Sequence, residues 1–361
     1  MKNAYPPSLQ TLLLASYLIA DNKKEEASAL LDALEPADDI TRICVQSLRG
    51  QHHLTAPLYV ATPQAEDKQI NVFDLVLRSV PPVEQVSRQA LVRMLELYRG
   101  LDSFTHLNIG IGKGRFEVKM LETLAAEGAQ LPRLIRIVGI DVDAQSLEEA
   151  GRDIRATAKK WFPATTRVEY VPVCAFAEAV DASIWKSISG HNTGLLGVLS
   201  AFTLHHIPTA EKRSAVIRQV AACNPELFVL LEPDADHFTE HLPARLTNCF
   251  QLFDGIFRQV DQNELNPAEA QAIKYTFFGR EIQDILSLKE EKRSEKHERA
   301  DVWAGRLQEA GFRLQPVAPS PGRKPAKTQD RLRLVQDPHR RYTTTEFEGV
   351  PMVAMLTAAR S

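Results

Sequence analysis

A glycine-rich segment holds the residues of this sequence best suited to bind a nucleoside ligand. It reads Leu107-Asn108-Ile109-Gly110-Ile111-Gly112-Lys113-Gly114 and contains three alternating glycines. Glycine lets the backbone turn sharply and lets a ligand approach without a Cβ in the way. The G-x-G-x-G spacing differs from the G-x-G-x-x-G that seats a pyrophosphate on a helix N-terminus. The turn residues predicted to contact a cofactor are Asn108, Gly110, Ile111, Gly112 and Gly114.

Asp141 is the predicted partner of a ribose. It lies in the run Val138-Gly139-Ile140-Asp141-Val142-Asp143, at the end of a second apolar segment. An acid at that position can accept hydrogen bonds from both hydroxyls of an adenosine ribose. Val142 is expected to contact the same cofactor, and Asp143 to cap the following helix. Nicotinamide and adenosylmethionine cofactors share this arrangement, so these residues alone leave both open.

Two further segments carry polar residues to the same predicted edge. They read Leu199-Ser200-Ala201-Phe202-Thr203-Leu204-His205-His206-Ile207-Pro208 and Leu231-Glu232-Pro233-Asp234. Open α/β sheets bind ligands at the carboxyl ends of their strands. Because the sequence lacks a pyrophosphate-binding motif, this placement favours a methyl donor over a dinucleotide, and Ser200 is expected to contact that methyl donor. An imidazole suits proton removal from a hydroxyl or amine acceptor. His205, His206 and Glu232 are therefore candidate catalytic residues, although each histidine is equally suited to hold the turn.

The acceptor is predicted to lie under an aromatic segment. Residues 239–295 are rich in phenylalanine and form an insertion, which must line an acceptor site with apolar side chains if it covers the sheet edge. The same stripe is also typical of a helical core. The predicted acceptor-binding residues are Phe202, Asp236, Phe253, Phe257 and Tyr275. A structural ion-pair network is predicted for Arg280, Glu281, Arg293, His297 and Glu298.

The elements that would position these residues follow an α/β pattern. Residues 1–100 are predicted as a helical cap, 101–238 and 296–361 as the two parts of a Rossmann core, and 239–295 as a helical insertion that contributes to the cap. Asn22 and Glu25 are expected to form a capping box. Residues 56–69 and 320–341 are predicted loops. Seven strands are expected in one mainly parallel sheet, with the last two antiparallel, at 106–109, 135–140, 167–173, 195–200, 227–232, 313–317 and 353–358.

Composition excludes several classes of protein. The 361 residues carry a net charge of −3, without the basic surface of a nucleic-acid binder. The four cysteines are scattered and no histidine has metal-ligand spacing, so neither a disulfide framework nor a metal site is predicted. No apolar run reaches the ~20 residues that span a bilayer. We expect a cytoplasmic protein with a small-molecule acceptor and no membrane or nucleic-acid partner; the sequence is compatible with a homodimer.

Several motifs together resemble a known family. The sheet-edge motifs resemble the class I S-adenosylmethionine-dependent methyltransferases. Phe278-Gly279-Arg280-Glu281-Ile282, Arg293-Ser294-Glu295-Lys296-His297-Glu298, Trp303, Arg306 and Ala310-Gly311-Phe312 look like the C-terminal signature of the GRAS family. Leu204-His205-His206, the stretch from Arg245 through Phe257 and the leucine-rich beginning are similar to that family too.

The resemblance implies a methyltransferase-like core under a helical cap. Plant members of the family are transcriptional regulators that commonly lack an intact glycine turn, whereas bacterial relatives look like small-molecule methyltransferases. Because this sequence keeps three glycines and Asp141, the likeness implies the bacterial, cofactor-binding branch. Asn108 and Cys174 stand where methyltransferases often carry acids, and the backbone at Cys174 and Ala175 would flank the adenine. The alternative is a non-catalytic regulatory or scaffold protein; a nicotinamide-dependent reductase is a third reading.

Overall fold

The helices and strands alternate along most of the chain. A computed structural model describes residues 5–50, 69–127, 130–190, 194–287, 290–316, 331–336, 339 and 341–360. The predicted loop 56–69 lies almost wholly outside these residues. The helices are α1 (Pro7–Ala20), α2 (Lys24–Ala33), α3 (Asp39–Leu48), α4 (Gln69–Ser79), α5 (Pro81–Tyr98), α6 (Arg115–Glu127), α7 (Ala144–Trp161), α8 (Ala182–Gly190), α9 (Ala210–Ala222), α10 (Leu242–Gln262), α11 (Pro267–Gln271), α12 (Gly279–Ser287) and α13 (Ala300–Glu309).

One twisted sheet forms the centre of the fold. Its strands are β1 (Ser103–Ile109), β2 (Leu134–Asp141), β3 (Arg167–Cys174), β4 (Leu195–Ala201), β5 (Leu227–Pro233), β6 (Phe312–Gln315), β7 (Leu332–Gln336), β8 (Thr343–Phe347) and β9 (Val350–Arg360). The order is β3-β2-β1-β4-β5-β9-β8-β7, and β6 pairs with β9. The first five strands are parallel and the other pairs antiparallel. The predicted α/β Rossmann class is confirmed, as is the antiparallel pairing of the last two predicted strands.

The predicted strand count of seven was wrong, because β7 and β8 have little apolar character. β7 lies in the stretch predicted as a loop, and its side chains are exposed or half-buried. In β8 the buried residues include Thr344 and Thr345, whose hydroxyls donate to the Val353 carbonyl at 3.2 and 3.1 Å. Threonine favours strands through its branched Cβ rather than through hydropathy, so an apolar pattern misses it.

Two apolar layers cover the sheet. Residues of α8, α9 and α13 pack on one face, where Trp303 is completely buried. The other face is covered by α5, α6 and α7, with the cap helices α1–α4 and the insertion helices α10–α12 beyond them. Within the described residues, none of the helices combines the length and apolarity needed to cross a bilayer.

Helix termini follow local chemistry, with one correction. Asp143 caps α7 as predicted, since its carboxylate accepts from the Ser146 N–H. Asn22 does not cap α2, and no capping box forms there. Instead it ends α1 in the left-handed conformation, with φ at 64°, while the N–H of Lys23 reaches the Leu18 carbonyl at 2.8 Å. Asparagine tolerates this conformation, which closes the last turn of a helix.

Candidate functional site

A large cavity lies where the strand order reverses, between β1 and β4. Its volume is about 1570 Å³, and its floor is made by the carboxyl ends of β1, β2, β4 and β5. A switch point of this kind is where open α/β sheets bind their ligands. Because a pocket for one small ligand occupies roughly 300–1,000 Å³, this cavity has room for two.

The glycine turn forms one wall of the cavity. Gly110, Gly112 and Gly114 all have positive φ, at 83°, 52° and 69°. A Cβ added at Gly110 would lie 1.9 Å from the Thr203 hydroxyl oxygen, so this glycine lets the loop after β4 pack on the turn. Gly110, Ile111 and Gly112 line the cavity, whereas Gly114 packs on Ala150 of α7.

Asp141 lies beside that turn at the end of β2. Its Oδ2 accepts from the Gly112 N–H at 2.8 Å and its Oδ1 from the Asp143 N–H at 3.0 Å. Burial raises the pKa of its carboxyl, partly offset by these hydrogen bonds. A carboxylate has about four acceptor positions, so it can accept a further hydrogen bond from a ligand hydroxyl beside these backbone bonds. Val142 and Ala175 line the cavity next to it.

Buried polar side chains form a hydrogen-bonded chain between α5, β1 and α6. The Tyr98 hydroxyl lies 3.0 Å from His106 Nδ1, His106 Nε2 lies 3.0 Å from Glu117 Oε1, and Asn108 Nδ2 donates to that oxygen at 2.7 Å. Asn108 lines the cavity, and its buried Oδ1 has no hydrogen-bond partner among the described residues. An orphaned acceptor of this kind is costly unless a ligand or water donates to it.

Glu232 holds the turn that carries the two histidines. Its Oε1 accepts from the N–H groups of Thr203 and Leu204 at 3.3 and 2.8 Å, and its Oε2 lies 2.5 Å from His205 Nδ1. It is completely buried and does not line the cavity, unlike His205 and His206. The geometry therefore makes Glu232 a positioning residue, and the prediction that it contacts reactants is not met.

The segment between α12 and α13 completes the cluster of histidines. Glu295 Oε2 lies 3.3 Å from His205 Nε2 and 3.2 Å from His297 Nε2. The loop is fixed by Asp284, which accepts from the N–H groups of Ser294 and Glu295. Burial alone would lower the pKa of His205, but Glu232 and Glu295 outweigh it and raise the pKa to about 9. His205 therefore carries a proton at neutral pH in the absence of any other cation, so in that state it is not a base.

His206 and His297 have the opposite electrostatic character. Burial and the charge of His205 lower the pKa of both imidazoles below the usual value, to about 4 for His297. They are therefore neutral near pH 7. His297 also contacts His237, with 2.8 Å between the two Nδ1 atoms.

Aromatic side chains close the cavity opposite the sheet edge. Phe73 of α4 packs on Phe202 and Phe277, with ring centroids 6.0 and 5.8 Å apart, and Phe278 lies edge-on to Phe277. Phe202 has a φ of 54°, a strained value for a residue with a large side chain. Phe253 also lines the cavity, and so does the ring of Tyr275, whose hydroxyl donates to Asp39 at 2.6 Å.

Some predicted site residues lie outside the cavity lining. The Asp236 carboxylate accepts from the N–H groups of Phe238 and Thr239, so it holds a turn instead of facing an acceptor. Phe257 is buried in the core of the insertion. Ser200 donates to the Ile109 carbonyl at 3.2 Å. Cys174 is exposed, with its Sγ 3.7 Å from the Val142 carbonyl.

The predicted ion-pair network exists in a different grouping. Glu298 pairs with Arg213 and Arg306, at 2.9 and 2.5 Å, and Arg293 pairs with Glu290. Arg280, Glu281 and His297 line the cavity, and His297 Nε2 lies 3.2 Å from Glu295. Sequence reasoning missed two parts of the site, α4 with Phe73 and the central position of Glu295. The sequence signal for α4 is a short apolar periodicity next to a polar stretch. For Glu295, the sequence does not show that its carboxylate lies between His205 and His297.

Comparison with known proteins gives a consistent result. The model of the GRAS domain family matches residues 12–349. Chitin-inducible gibberellin-responsive protein 2 of Oryza sativa subsp. japonica is 27% identical over 235 residues, 62% of this chain and 42% of that protein. Scarecrow-like protein 1 of Arabidopsis thaliana is 23% identical over 337 residues, 86% of this chain and 55% of that protein. This chain therefore spans about half the length of these relatives.

A solved structure supports the fold. The crystal structure of SCL7 from Oryza sativa superposes with a TM-score of 0.78 at 17% identity, and the match covers 98% of this chain and 100% of that one. At this identity the likeness concerns the fold alone.

Proposed function

The chain belongs to the GRAS domain family, and from that premise we propose that it is a small-molecule methyltransferase that binds S-adenosylmethionine at the glycine turn. The observation that carries the proposal is the placement of three positive-φ glycines, the buried Asp141 and the orphaned Asn108 Oδ1 along one wall of a cavity at the switch point. The intact turn also favours the bacterial, cofactor-binding branch of the family that the sequence indicated.

The residues present fit this cofactor. Asp141 can accept a further hydrogen bond from a ribose hydroxyl, and Val142, Ala175 and the exposed ring of Phe176 offer apolar contacts for an adenine. Asn108 Oδ1 is an available acceptor for an ammonium group. When bound, S-adenosylmethionine supplies a methyl group on a positively charged sulfur.

The chain's contribution to the reaction is to orient the acceptor and exclude water. The aromatic wall of Phe73, Phe202, Phe277 and Phe278 surrounds the space next to His205, so an acceptor with an apolar body would bind there. Holding a nucleophile near a methyl group in a water-poor pocket accounts for much of the acceleration of such displacements. His206, neutral near pH 7, is the imidazole suited to accept a hydrogen bond from the acceptor.

A thermal-shift measurement tests the binding step. S-adenosylhomocysteine at about 100 times its Kd should stabilise the chain by about 2.7 kcal/mol, which raises Tm. Asp141→Asn removes a charged acceptor, worth about 1.5–3 kcal/mol, and should weaken binding by more than tenfold. Asp153→Asn, which changes an exposed partner of Arg115, is the matched control and should keep the shift. No shift in the wild-type chain would overturn the proposal.

The second candidate is a partner-binding protein without catalysis. It is favoured by the exposed apolar side chains of Leu14 and Tyr17 on α1, with 53% and 51% of their surfaces accessible. It predicts that neither adenosylmethionine nor its product binds, and that Leu14→Glu abolishes association with a protein partner. Binding of the nucleoside with loss of binding in Asp141→Asn would favour the enzyme.

A further inference from the structure

Two histidines and a glutamate converge at the acceptor end of the cavity. His205 Nε2 and His297 Nε2 lie 3.3 and 3.2 Å from the same oxygen of Glu295, and the three ligand atoms are all within 4.8 Å of one another. A tetrahedral metal centre with bonds of about 2.0–2.1 Å has edges of about 3.3 Å between ligand atoms. We propose that His205, Glu295 and His297 bind a divalent transition-metal ion.

The remaining ring nitrogens are already engaged, as metal-binding histidines require. His205 Nδ1 lies 2.5 Å from Glu232 Oε2, and His297 Nδ1 lies 2.8 Å from His237 Nδ1. Such partners fix the tautomer and ring orientation and leave the opposite nitrogen for the metal. Both Nε2 atoms here face Glu295. The outer partners therefore orient the two imidazoles toward one point.

The charges around this point call for a cation. Glu232 and Glu295 are both completely buried, and buried carboxylates are stable only when compensated. The arginines nearest to them also form ion pairs with other carboxylates, Arg213 with Glu298 and Arg293 with Glu290. A divalent ion bound at Glu295 would bring two positive charges close to these two carboxylates.

The ligand types indicate which ion would bind, and the position of the ligands indicates where its coordination shell would be open. Two imidazoles and one carboxylate suit Zn²⁺, Co²⁺ or Fe²⁺ better than Mg²⁺ or Ca²⁺, which prefer oxygen ligands. His205 and His297 line the cavity. The side of the ion toward the cavity would be open, as in catalytic sites with three protein ligands, and an oxygen or nitrogen of the acceptor could complete the coordination there.

Metal binding can be measured without any nucleoside, so its outcome is independent of the proposed methyl transfer. The chain is stripped with a chelator, titrated with ZnCl₂ or CoCl₂ and freed of unbound ions, and bound metal is counted by inductively coupled plasma mass spectrometry. We expect one ion per chain and, for Co²⁺, the intense visible bands of a tetrahedral site. A wild-type chain that retains neither ion would overturn the proposal, whatever the variants do.

Two variants and a control locate the ion. Glu295→Gln keeps the size of the side chain but removes its charge, and should abolish the visible cobalt bands. Glu232→Gln alters only an outer partner and should weaken metal affinity by about 10–100-fold. His241→Gln removes an exposed imidazole that contacts Tyr17 of α1, and this variant should bind the ion as the wild-type chain does. Circular dichroism verifies that each variant is folded. Unchanged binding in folded Glu295→Gln would place the metal elsewhere and refute the assignment.

Discussion

Arg213 of α9 joins the turn that carries His205 to the loop that carries Glu295, and its side chain is completely buried. Its Nε donates to the Ile207 carbonyl at 2.9 Å and its Nη2 to the His205 carbonyl at 2.5 Å. Its Nη1 pairs with Glu298 Oε2 at 2.9 Å. The guanidinium also lies over the ring of Trp303, 5.4 Å from its centroid. The substitution Arg213→Met removes all of these contacts and keeps much of the aliphatic volume.

The expected loss of stability follows from what the substitution leaves behind. Removing one partner of a buried ion pair costs about 3–5 kcal/mol, because the other charge stays buried. Glu298 keeps a second partner in Arg306, at 2.5 Å, which reduces this cost. The carbonyls of His205 and Ile207, however, lose charged donors, each worth about 1.5–3 kcal/mol. These contributions are not additive, and we expect a decrease of about 3–5 kcal/mol in the free energy of unfolding.

Urea unfolding followed by circular dichroism measures this decrease. The matched control is Arg133→Met, which breaks a bidentate ion pair with Asp102 at 2.6 Å. This pair lies at the surface, because 78% of the Arg133 side chain and 55% of the Asp102 side chain are exposed. An exposed pair contributes about 0–1 kcal/mol. The double variant Arg213→Met/Glu298→Gln should be less destabilised than the sum of its single variants. Equal losses for Arg213→Met and Arg133→Met would refute the claim that the buried pair joins the two segments.

Two further predictions concern the glycine turn and the cysteines. Gly110→Ala should lower the free energy of unfolding by about 1–3 kcal/mol more than Gly100→Ala does. Both glycines have positive φ, but only a Cβ at Gly110 would meet Thr203. Equal urea midpoints for the two variants would contradict this. Iodoacetamide should modify the native protein at Cys174 alone, because this thiol is exposed and those of Cys44, Cys223 and Cys249 are buried. Burial also raises the pKa of Cys223 to about 11. Peptide mass spectrometry that finds Cys223 modified at the same rate as Cys174 would contradict this.

The sheet and the positions of the glycine turn and Asp141 at its edge could be predicted because local sequence determines them. Four of the parallel strands, β1, β2, β4 and β5, are short and mostly buried, and Gly110 follows β1 directly while Asp141 is the last residue of β2. Topology alone then places these residues at one edge. The same holds for His205 and His206, which follow β4.

The cluster of His205, Glu295 and His297 could not be predicted because it is assembled from distant segments. Glu295 reaches His205 only through the packing of a loop that Asp284 holds, and no spacing in the sequence reports that contact. β8 is built from threonines whose burial depends on β9. Glu348 and Gly349, which connect β8 to β9, both have positive φ and form the two-residue turn that hairpins favour.

The central claim is that the glycine turn and Asp141 bind the nucleoside of S-adenosylmethionine. A crystal structure of the chain with S-adenosylhomocysteine tests it most directly. The account predicts ribose hydroxyls within hydrogen-bond distance of the Asp141 carboxylate, and a sulfur directed toward the space between Phe202 and His205. A nucleoside bound away from Gly110 and Asp141, or an empty cavity at saturating ligand, would contradict it.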